Sequence, residues 1–185
     1  MPTANELSKR YGDMIVSASD TKESGLWLPS TFFMLNYTFG GGIPFGKILE
    51  VAGEESSGKS LIAYNFAYTT QQLGGHVIWV DAEQAWMNSW AQENGVDPNG
   101  VTVIRDTRIE NIADALADVA IYWRSQLTHN EPILLVVDSI AAMDCADNID
   151  SKMVDGKSEM GGRAKALYKF FRIRSELFYK LGITQ

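Results

Sequence analysis

The chain has 185 residues, of which 45% are hydrophobic and 21% charged, and its formal net charge at pH 7 is -7. This composition predicts one globular domain with a substantial core, and the acidic balance argues against nucleic-acid binding through a general basic excess, but not through a local basic face. A single cysteine, Cys145, excludes an intrachain disulfide and a cysteine cluster for zinc, and two isolated histidines argue against a transition-metal site. With no run of about 18 apolar residues and no signal-peptide start, the sequence predicts a soluble, intracellular protein without a membrane span.

Predicted helices and strands alternate along the chain. A short helix capped by Ser30 is predicted over residues 31–39, before the glycines at 40–42. Apolar runs then predict strands over residues 48–52, 76–80, 101–104 and 133–137, and helical patterns lie between them over residues 58–73, 84–93 and 109–127. Continuous apolar strands separated by helices are typical of a parallel sheet covered on both faces. The sequence therefore predicts an α/β fold.

One glycine-rich segment lies between the first of these strands and the following helix. It fits the pattern G-x-x-x-x-G-K-[ST] and consists of Gly53, Glu54, Glu55, Ser56, Ser57, Gly58, Lys59 and Ser60. In a phosphate loop, glycines let the backbone N–H groups point at phosphate oxygens, the lysine neutralises phosphate charge, and the hydroxyl coordinates magnesium. The alternative is a glycine-rich turn with a solvated lysine, but the strand before the segment and the helix after it favour the phosphate loop.

Two later strands end in acidic residues. Asp138 follows the apolar run at 133–137, at the sheet edge where ligands bind in open parallel sheets, and is a candidate magnesium ligand or a helix N-cap. Asp81 and Glu83 follow the strand at 76–80, where a carboxylate could activate an attacking water. Strand periodicity puts both on one face, so the pattern alone does not choose between them or exclude a merely charged strand end.

Taken together, the segments at 53–60, 81–83, 135–139 and 41–47 resemble the RecA family of recombinases, including its phage members. The resemblance covers residues 28 to 185 and implies a RecA-like ATPase core that uses ATP and Mg²⁺. Two departures are Glu54 and Ser60, where the family has proline and threonine. The match assigns water activation to Glu83 and catalysis also to Lys59. It places Met87 and Trp90 where the family has an aspartate and a tyrosine that contact adenine, although Trp90 also fits a core aromatic.

A local basic stripe follows the last acidic strand. Residues 147–162 are polar and glycine-containing, as in a mobile loop, and residues 163–180 have a helical pattern. Lys165, Lys169 and Arg172 fall at i, i+4 and i+7, so they form a stripe that can hold a phosphate backbone or is simply solvated. The resemblance favours DNA binding, because Met160 and Gly161 match the end of the family's DNA loop and Lys165 and Arg172 match its phosphate-contacting arginines.

The resemblance also implies how the chain is organised. We expect an N-terminal segment over residues 1–27 that contacts a neighbouring subunit, and a core over residues 28–185 that is cut short before a central strand. The family forms helical filaments on single-stranded DNA and promotes strand exchange with double-stranded DNA in the cytoplasm of bacterial cells or phage-infected hosts. Alternatives are a RecA-fold helicase or repair ATPase without strand exchange, or a fragment that binds nucleotide without turnover.

Overall fold

The computed structural model describes residues 4–15, 17, 25–154 and 161–185. Its helices are α1 (Ala4–Tyr11), α2 (Phe33–Phe39), α3 (Lys59–Gln72), α4 (Asn88–Glu93), α5 (Ile109–Gln126), α6 (Ala146–Val154) and α7 (Gly162–Lys180). Its strands are β1 (Trp27–Leu28), β2 (Ile43–Pro44), β3 (His76–Asp81), β4 (Val101–Ile104), β5 (Ile133–Asp138) and β6 (Ile183–Thr184). Short 3₁₀ turns occur at Gly12–Met14, Pro98–Gly100 and Ile140–Ala142.

A four-stranded parallel sheet forms the centre of the domain. The strand order is β4-β3-β5-β6, so β3 and β5 are inner strands. Their register pairs Val80 with Val137 and Asp81 with Asp138. The α/β fold predicted from the sequence is confirmed, and the register brings two acidic residues to neighbouring positions at the carboxyl edge of the sheet.

Helices cover both faces of this sheet. Along β3, Ile78 and Val80 pack into the core formed with α5 and α7, whereas Val77 and Trp79 pack into the core formed with α3. All six β3 residues are buried, which explains why residues 77–80 are continuously apolar rather than alternating. A separate two-stranded antiparallel ribbon pairs β1 with β2, and β1 spans the predicted boundary between residues 27 and 28.

One predicted strand is absent from the assigned sheet. Residues 48–52 are not a strand, and both Ile48 and Val51 are exposed, at 52% and 38%. This segment is paired at its start, where the Leu49 N–H donates to Gln185 O at 2.8 Å and the Gln185 N–H donates to Lys47 O at 3.0 Å. A strand needs a continuing ladder, and within the described residues this ladder stops after these two bonds.

The short strand β6 lies next to β5 at one edge of the assigned sheet. Ile183 and Thr184 in β6 pair with Ile133 and Leu134 of β5, while Gln185 bonds to the segment that precedes the candidate phosphate loop. Residues 183–185 therefore lie between β5 and that segment. Residues 50–52 have no assigned strand partner in the described structure.

Three other element predictions need correction. The helix predicted over 84–93 begins only at Asn88, and α2 begins at Phe33 without a side-chain cap, because Ser30 instead bonds to Asn65 Oδ1 and to the Phe32 N–H. The polar stretch at 147–162 is not loop throughout, since α6 covers Ala146–Val154.

Among the described residues, no helix is both long and apolar enough to cross a bilayer.

Candidate functional site

The candidate phosphate loop leads directly into α3. Gly58 adopts a left-handed conformation with φ 93°, and α3 begins at Lys59 without a side-chain cap. A side chain at Gly53 would put its Cβ 2.6 Å from Ser57 Oγ, so the Ser57 hydroxyl would have to move to accommodate it. The uncapped first turn and the positive end of the α3 dipole together suit an anion in front of the helix.

Lys59 lies across this loop. Its ammonium donates to the carbonyl oxygens of Glu54 at 2.7 Å and Gly53 at 3.1 Å. The side chain is therefore folded back over the curve of the loop rather than extended into solvent. An incoming phosphate would compete with these two carbonyls for the same ammonium, and a full negative charge is the stronger acceptor.

Ser60 and Asp138 meet beside the lysine. The Ser60 hydroxyl donates to Asp138 Oδ2 at 2.9 Å, across 78 residues of sequence. Burial raises the pKa of Asp138, with further contributions from the charges of Glu83 and Asp81, while the Ser60 hydrogen bond and Lys59 act in the opposite direction. A hydroxyl and a crowded carboxylate are hard oxygen donors of the kind that Mg²⁺ prefers, so these residues fit that ion.

The alternative role of Asp138 as a helix cap is not supported by its contacts. The 3₁₀ turn that follows has Ser139 at its N-cap and no side-chain cap bond. The carboxylate of Asp138 instead accepts from Ser60 on α3.

The structure separates the two carboxylates that the sequence could not distinguish. Asp81 is 1% exposed, and its carboxylate accepts from the N–H groups of Ala85 at 2.8 Å and Trp86 at 3.2 Å, and from Arg105 Nε at 3.3 Å. It folds the chain that follows β3 and has its acceptor positions occupied. Glu83 is exposed in the next turn, and its carboxylate accepts a hydrogen bond from the Ser139 hydroxyl. Of the two, Glu83 has the position suited to a general base.

Two residues near the site were not anticipated from the sequence. Ser139 follows the candidate magnesium ligand Asp138 directly and holds Glu83, but a serine after an acidic residue carries no distinctive pattern. Tyr64 lies one helical turn after Ser60 and is 3% exposed. Burial, together with the charges of Asp138 and Asp81, raises its pKa to about 12. The i, i+4 spacing from Ser60 was a signal that could have placed Tyr64 on the same face of α3.

Trp90 and the remaining loop residues lie on the open side of the site. Trp90 and Met87 are 44% and 57% exposed and line a cavity that also contacts Ser60 and Asp138. Trp90 is thus not a fully buried core aromatic. The other side chains of the loop, namely Glu54, Glu55, Ser56 and Ser57, are exposed.

The basic stripe is on α7. Lys165, Lys169 and Arg172 are exposed, and within the described part of the chain no salt bridge involves them. Other cations of α7 have partners: Arg174 pairs with Asp114 at 2.8 Å, Lys180 with Glu176 at 2.7 Å, and Arg163 donates to Ile140 O at 3.0 Å.

The structure distinguishes members of this stripe. Lys169 also lines a groove between α5 and α7 that contains Glu110 and Asp114, so its surroundings are more acidic than the sequence indicated. Gly161 is the exposed N-cap of α7, with φ 97°. The predicted contact Met160 lies outside the described residues.

No cluster of three or more histidine, cysteine or acidic residues suited to a metal occurs among the described residues.

Comparison with known proteins gives one consistent family. The model of the RecA N-terminal domain matches residues 3–182. Curated relatives include Protein RecA of Mycoplasma mycoides, 29% identical over 97% of this chain and 50% of the relative, and Protein RecA of Malacoplasma penetrans, 31% identical over 91% and 48%. Protein RecA of Ruminococcus albus is 34% identical over 85% of this chain and 37% of its own length. The chain spans about half the length of the first two relatives, and it belongs to the RecA family, in which it corresponds to the N-terminal domain.

Proposed function

We propose that this chain is the nucleotide-binding part of a RecA-type recombinase that binds ATP with Mg²⁺ and hydrolyses it in response to DNA. The observation that carries the proposal is the 2.9 Å hydrogen bond between Ser60 and Asp138 beside Lys59. It brings the carboxylate of Asp138, 78 residues away in sequence, to the neighbouring Lys59 and Ser60 at the carboxyl edge of the sheet. Phosphoryl transfer needs this combination of charge neutralisation and positioning.

Each residue has a distinct task in this proposal. The N–H groups of residues 53–58 and the first turn of α3 would bind the phosphates, and Lys59 would exchange its two carbonyl contacts for phosphate oxygens. Ser60 and Asp138 would hold Mg²⁺, which when bound neutralises developing phosphate charge. Glu83, oriented by Ser139, would accept a proton from the attacking water.

The DNA part of the proposal depends on the exposed cations of α7. Lys165 and Arg172 have no salt-bridge partner among the described residues, so their charges are available to a phosphate backbone. We propose that the protein self-associates into a helical filament on single-stranded DNA and exchanges strands with double-stranded DNA. Residues 1–27 would contact a neighbouring subunit in that filament.

Hydrolysis tests this proposal most simply. The rate of phosphate release from Mg·ATP should rise when single-stranded DNA is added, and Glu83→Gln should lower the rate at least 100-fold while leaving ATP binding within about threefold, because general base catalysis contributes about 10²–10⁴-fold. A matched control is Glu93→Gln, which makes the same change in an exposed residue of α4. Equal rates for the chain and Glu83→Gln would refute the assignment of Glu83.

A second candidate is a nucleotide-binding piece without turnover. It is favoured by residues 50–52, which lead into the candidate phosphate loop and have no assigned strand partner in the described structure. Background hydrolysis together with measurable ATP affinity would support this candidate. A three-strand exchange assay would distinguish a recombinase from a RecA-fold helicase or repair ATPase, since a helicase unwinds but does not pair homologous strands.

A further inference from the structure

Arg163 connects the first turn of α7 to the chain that follows β5. Its Nη2 donates to the carbonyl oxygen of Ile140 at 3.0 Å. Ile140 begins the 3₁₀ turn Ile140–Ala142, and the same carbonyl also accepts the turn-closing N–H of Met143 at 3.2 Å. The Arg163 guanidinium therefore bonds directly to the backbone of this turn, at its first residue.

The start of this turn is also bonded to the candidate general base. Ser139, which precedes Ile140, is the N-cap of the turn, and its hydroxyl donates to the carboxylate of Glu83. One residue earlier, the carbonyl oxygen of Asp138 accepts the N–H of Ala82 at 3.1 Å. Two hydrogen bonds thus join the residues around Glu83 to the strand end that carries the candidate magnesium ligand. A shift of the turn would therefore change the positions of both carboxylates.

The other end of this connection is the helix that carries the basic stripe. Arg163 is the second residue of α7 and lies two residues before Lys165, the first cation of the stripe. Residues two apart on a helix do not lie on the same face, so Arg163 contacts the turn while Lys165 is exposed. A DNA phosphate bound at Lys165 would act on the same helical turn that holds Ile140.

The 3₁₀ turn has further contacts that do not involve Arg163. Met143, directly after the turn, is 1% exposed and belongs to the same buried core as Phe170 of α7. The next residue, Asp144, donates its N–H to Thr107 O at 2.8 Å. Removal of the Arg163 guanidinium should therefore leave the end of the turn in place and loosen only its start.

We infer that Arg163 is a positioning residue that couples DNA binding on α7 to the nucleotide site, through the turn that holds Ser139 and Glu83. The inference rests on the proposed function, because it concerns the regulation of that same site by DNA. Coupling between two sites is reciprocal, so each ligand strengthens the binding of the other by the same factor. A residue that only couples the sites changes this factor and leaves the affinity for each ligand alone nearly unchanged.

Fluorescence anisotropy of a labelled oligo-dT, titrated with the chain in the presence and absence of Mg·ATPγS, measures this coupling. In the unsubstituted chain, Mg·ATPγS should raise the oligo-dT affinity at least tenfold, since coupling between sites is typically about 5- to 150-fold. In Arg163→Ala this gain should fall to about threefold or less, while the affinities for oligo-dT alone and for Mg·ATPγS alone stay within about threefold. Arg163→Lys should recover part of the gain, because its ammonium can still donate to a carbonyl.

Two further variants serve as a control and as a test of the route. Arg174→Ala removes the same charge from α7 at a residue that pairs with Asp114, and it should keep the full gain. Ser139→Ala breaks the other end of the connection and should also lower the gain. Combining Arg163→Ala with Ser139→Ala should lower the gain no further than either change alone, because the two residues act through one turn. Additive losses would overturn the connection through the turn.

The outcomes separate this inference from the proposed function. If Arg163→Ala keeps the gain, the inference is overturned. It is also overturned if Arg163→Ala loses affinity for either ligand alone, because the residue would then contact that ligand or support the fold. If the unsubstituted chain binds Mg·ATPγS but shows no gain for oligo-dT, the inference is refuted and the nucleotide-binding part of the proposed function stands. If the unsubstituted chain does not bind Mg·ATPγS, both are refuted.

Discussion

Acidification should destabilise the folded chain through one buried histidine. His76 begins β3, is 5% exposed, stacks on Trp123 at a 3.5 Å centroid distance, and its Nε2 lies 2.8 Å from Thr102 Oγ1. Burial lowers the pKa of His76 from 6.5 to about 4. The folded state therefore favours the neutral ring, and the unfolded chain binds a proton at higher pH.

The sign and size of the effect follow from this difference. A lowered histidine pKa gives stability that is present above pH 6.5 and is lost as the pH falls from 6.5 toward 4. Between pH 7.5 and 4.5, linkage predicts a loss of about 2.5 kcal/mol in the free energy of unfolding. We take a urea dependence of about 2 kcal/mol per molar. Between pH 7.5 and 4.5, the urea midpoint of unfolding should then fall by about 1 M more in the unsubstituted chain than in His76→Phe.

Urea titrations at pH 7.5, 6.0 and 4.5 measure this difference. His76→Phe keeps a ring against Trp123 but cannot titrate, so subtracting its curve removes the contributions of the acidic residues, including Asp138. The chain's other histidine, His129, is exposed, and His129→Gln should retain the full pH dependence. The reasoning is refuted if His76→Phe keeps the pH dependence or if His129→Gln loses it.

Three further predictions concern the candidate site and the basic stripe. Asp138→Asn should raise the stability of the nucleotide-free chain at pH 7 in thermal unfolding, because burial raises the pKa of Asp138 and so disfavours its ionised form in the fold; a lower midpoint would contradict this. Gly58→Ala should weaken ATPγS binding at least tenfold in calorimetry, since the φ of 93° at this position strains any residue with a Cβ, and unchanged affinity would argue against this loop conformation. Lys165→Ala should lower single-stranded DNA affinity and reduce the salt slope by about 0.7 in fluorescence anisotropy, whereas the already paired Arg174→Ala should leave the slope unchanged; equal effects would refute the stripe.

The inner strands of the sheet were predictable because burial on both faces makes their sequences continuously apolar. The inner strands β3 and β5 were predicted to within one residue, and the partly buried edge strand β4 was predicted over its exact range. Residues 48–52 have the same apolar character, yet strand assignment also requires a neighbour along the whole segment. The pairing that starts at Lys47 and Leu49 ends with Gln185, and a sequence pattern does not contain this information.

The chain after β3 shows why other boundaries failed. The helix expected from residue 84 begins at Asn88, because the preceding backbone wraps around the Asp81 carboxylate and Gln84 has φ 56°. Strand periodicity had placed Asp81 and Glu83 on one face. These contacts bury the Asp81 carboxylate, whereas Glu83 lies in the exposed turn. The stretch at 147–162 contains polar residues and glycines, as a loop does, but its first part forms α6. In that helix the polar residue Asn148 is buried instead of exposed to solvent.

The candidate site was predictable in its residue types and less so in its partners. Gly53, Lys59 and Ser60 follow a pattern with fixed spacing, so their proximity was implied by the sequence. The bond between Ser60 and Asp138 depends on the register of distant strands, and the contact of Glu83 with Ser139 depends on a turn that ordinary propensities do not specify.

The magnesium dependence of ATPγS affinity tests the central claim most directly, because it requires both the phosphate loop and the oxygen pair formed by Ser60 and Asp138. In calorimetric titrations, the unsubstituted chain should bind ATPγS at least tenfold more tightly in MgCl₂ than in EDTA. Ser60→Ala should lose most of that gain, while Ser89→Ala, outside the cavity, should retain it. The account is contradicted if the unsubstituted chain does not bind ATPγS, or if it binds ATPγS equally well with and without magnesium.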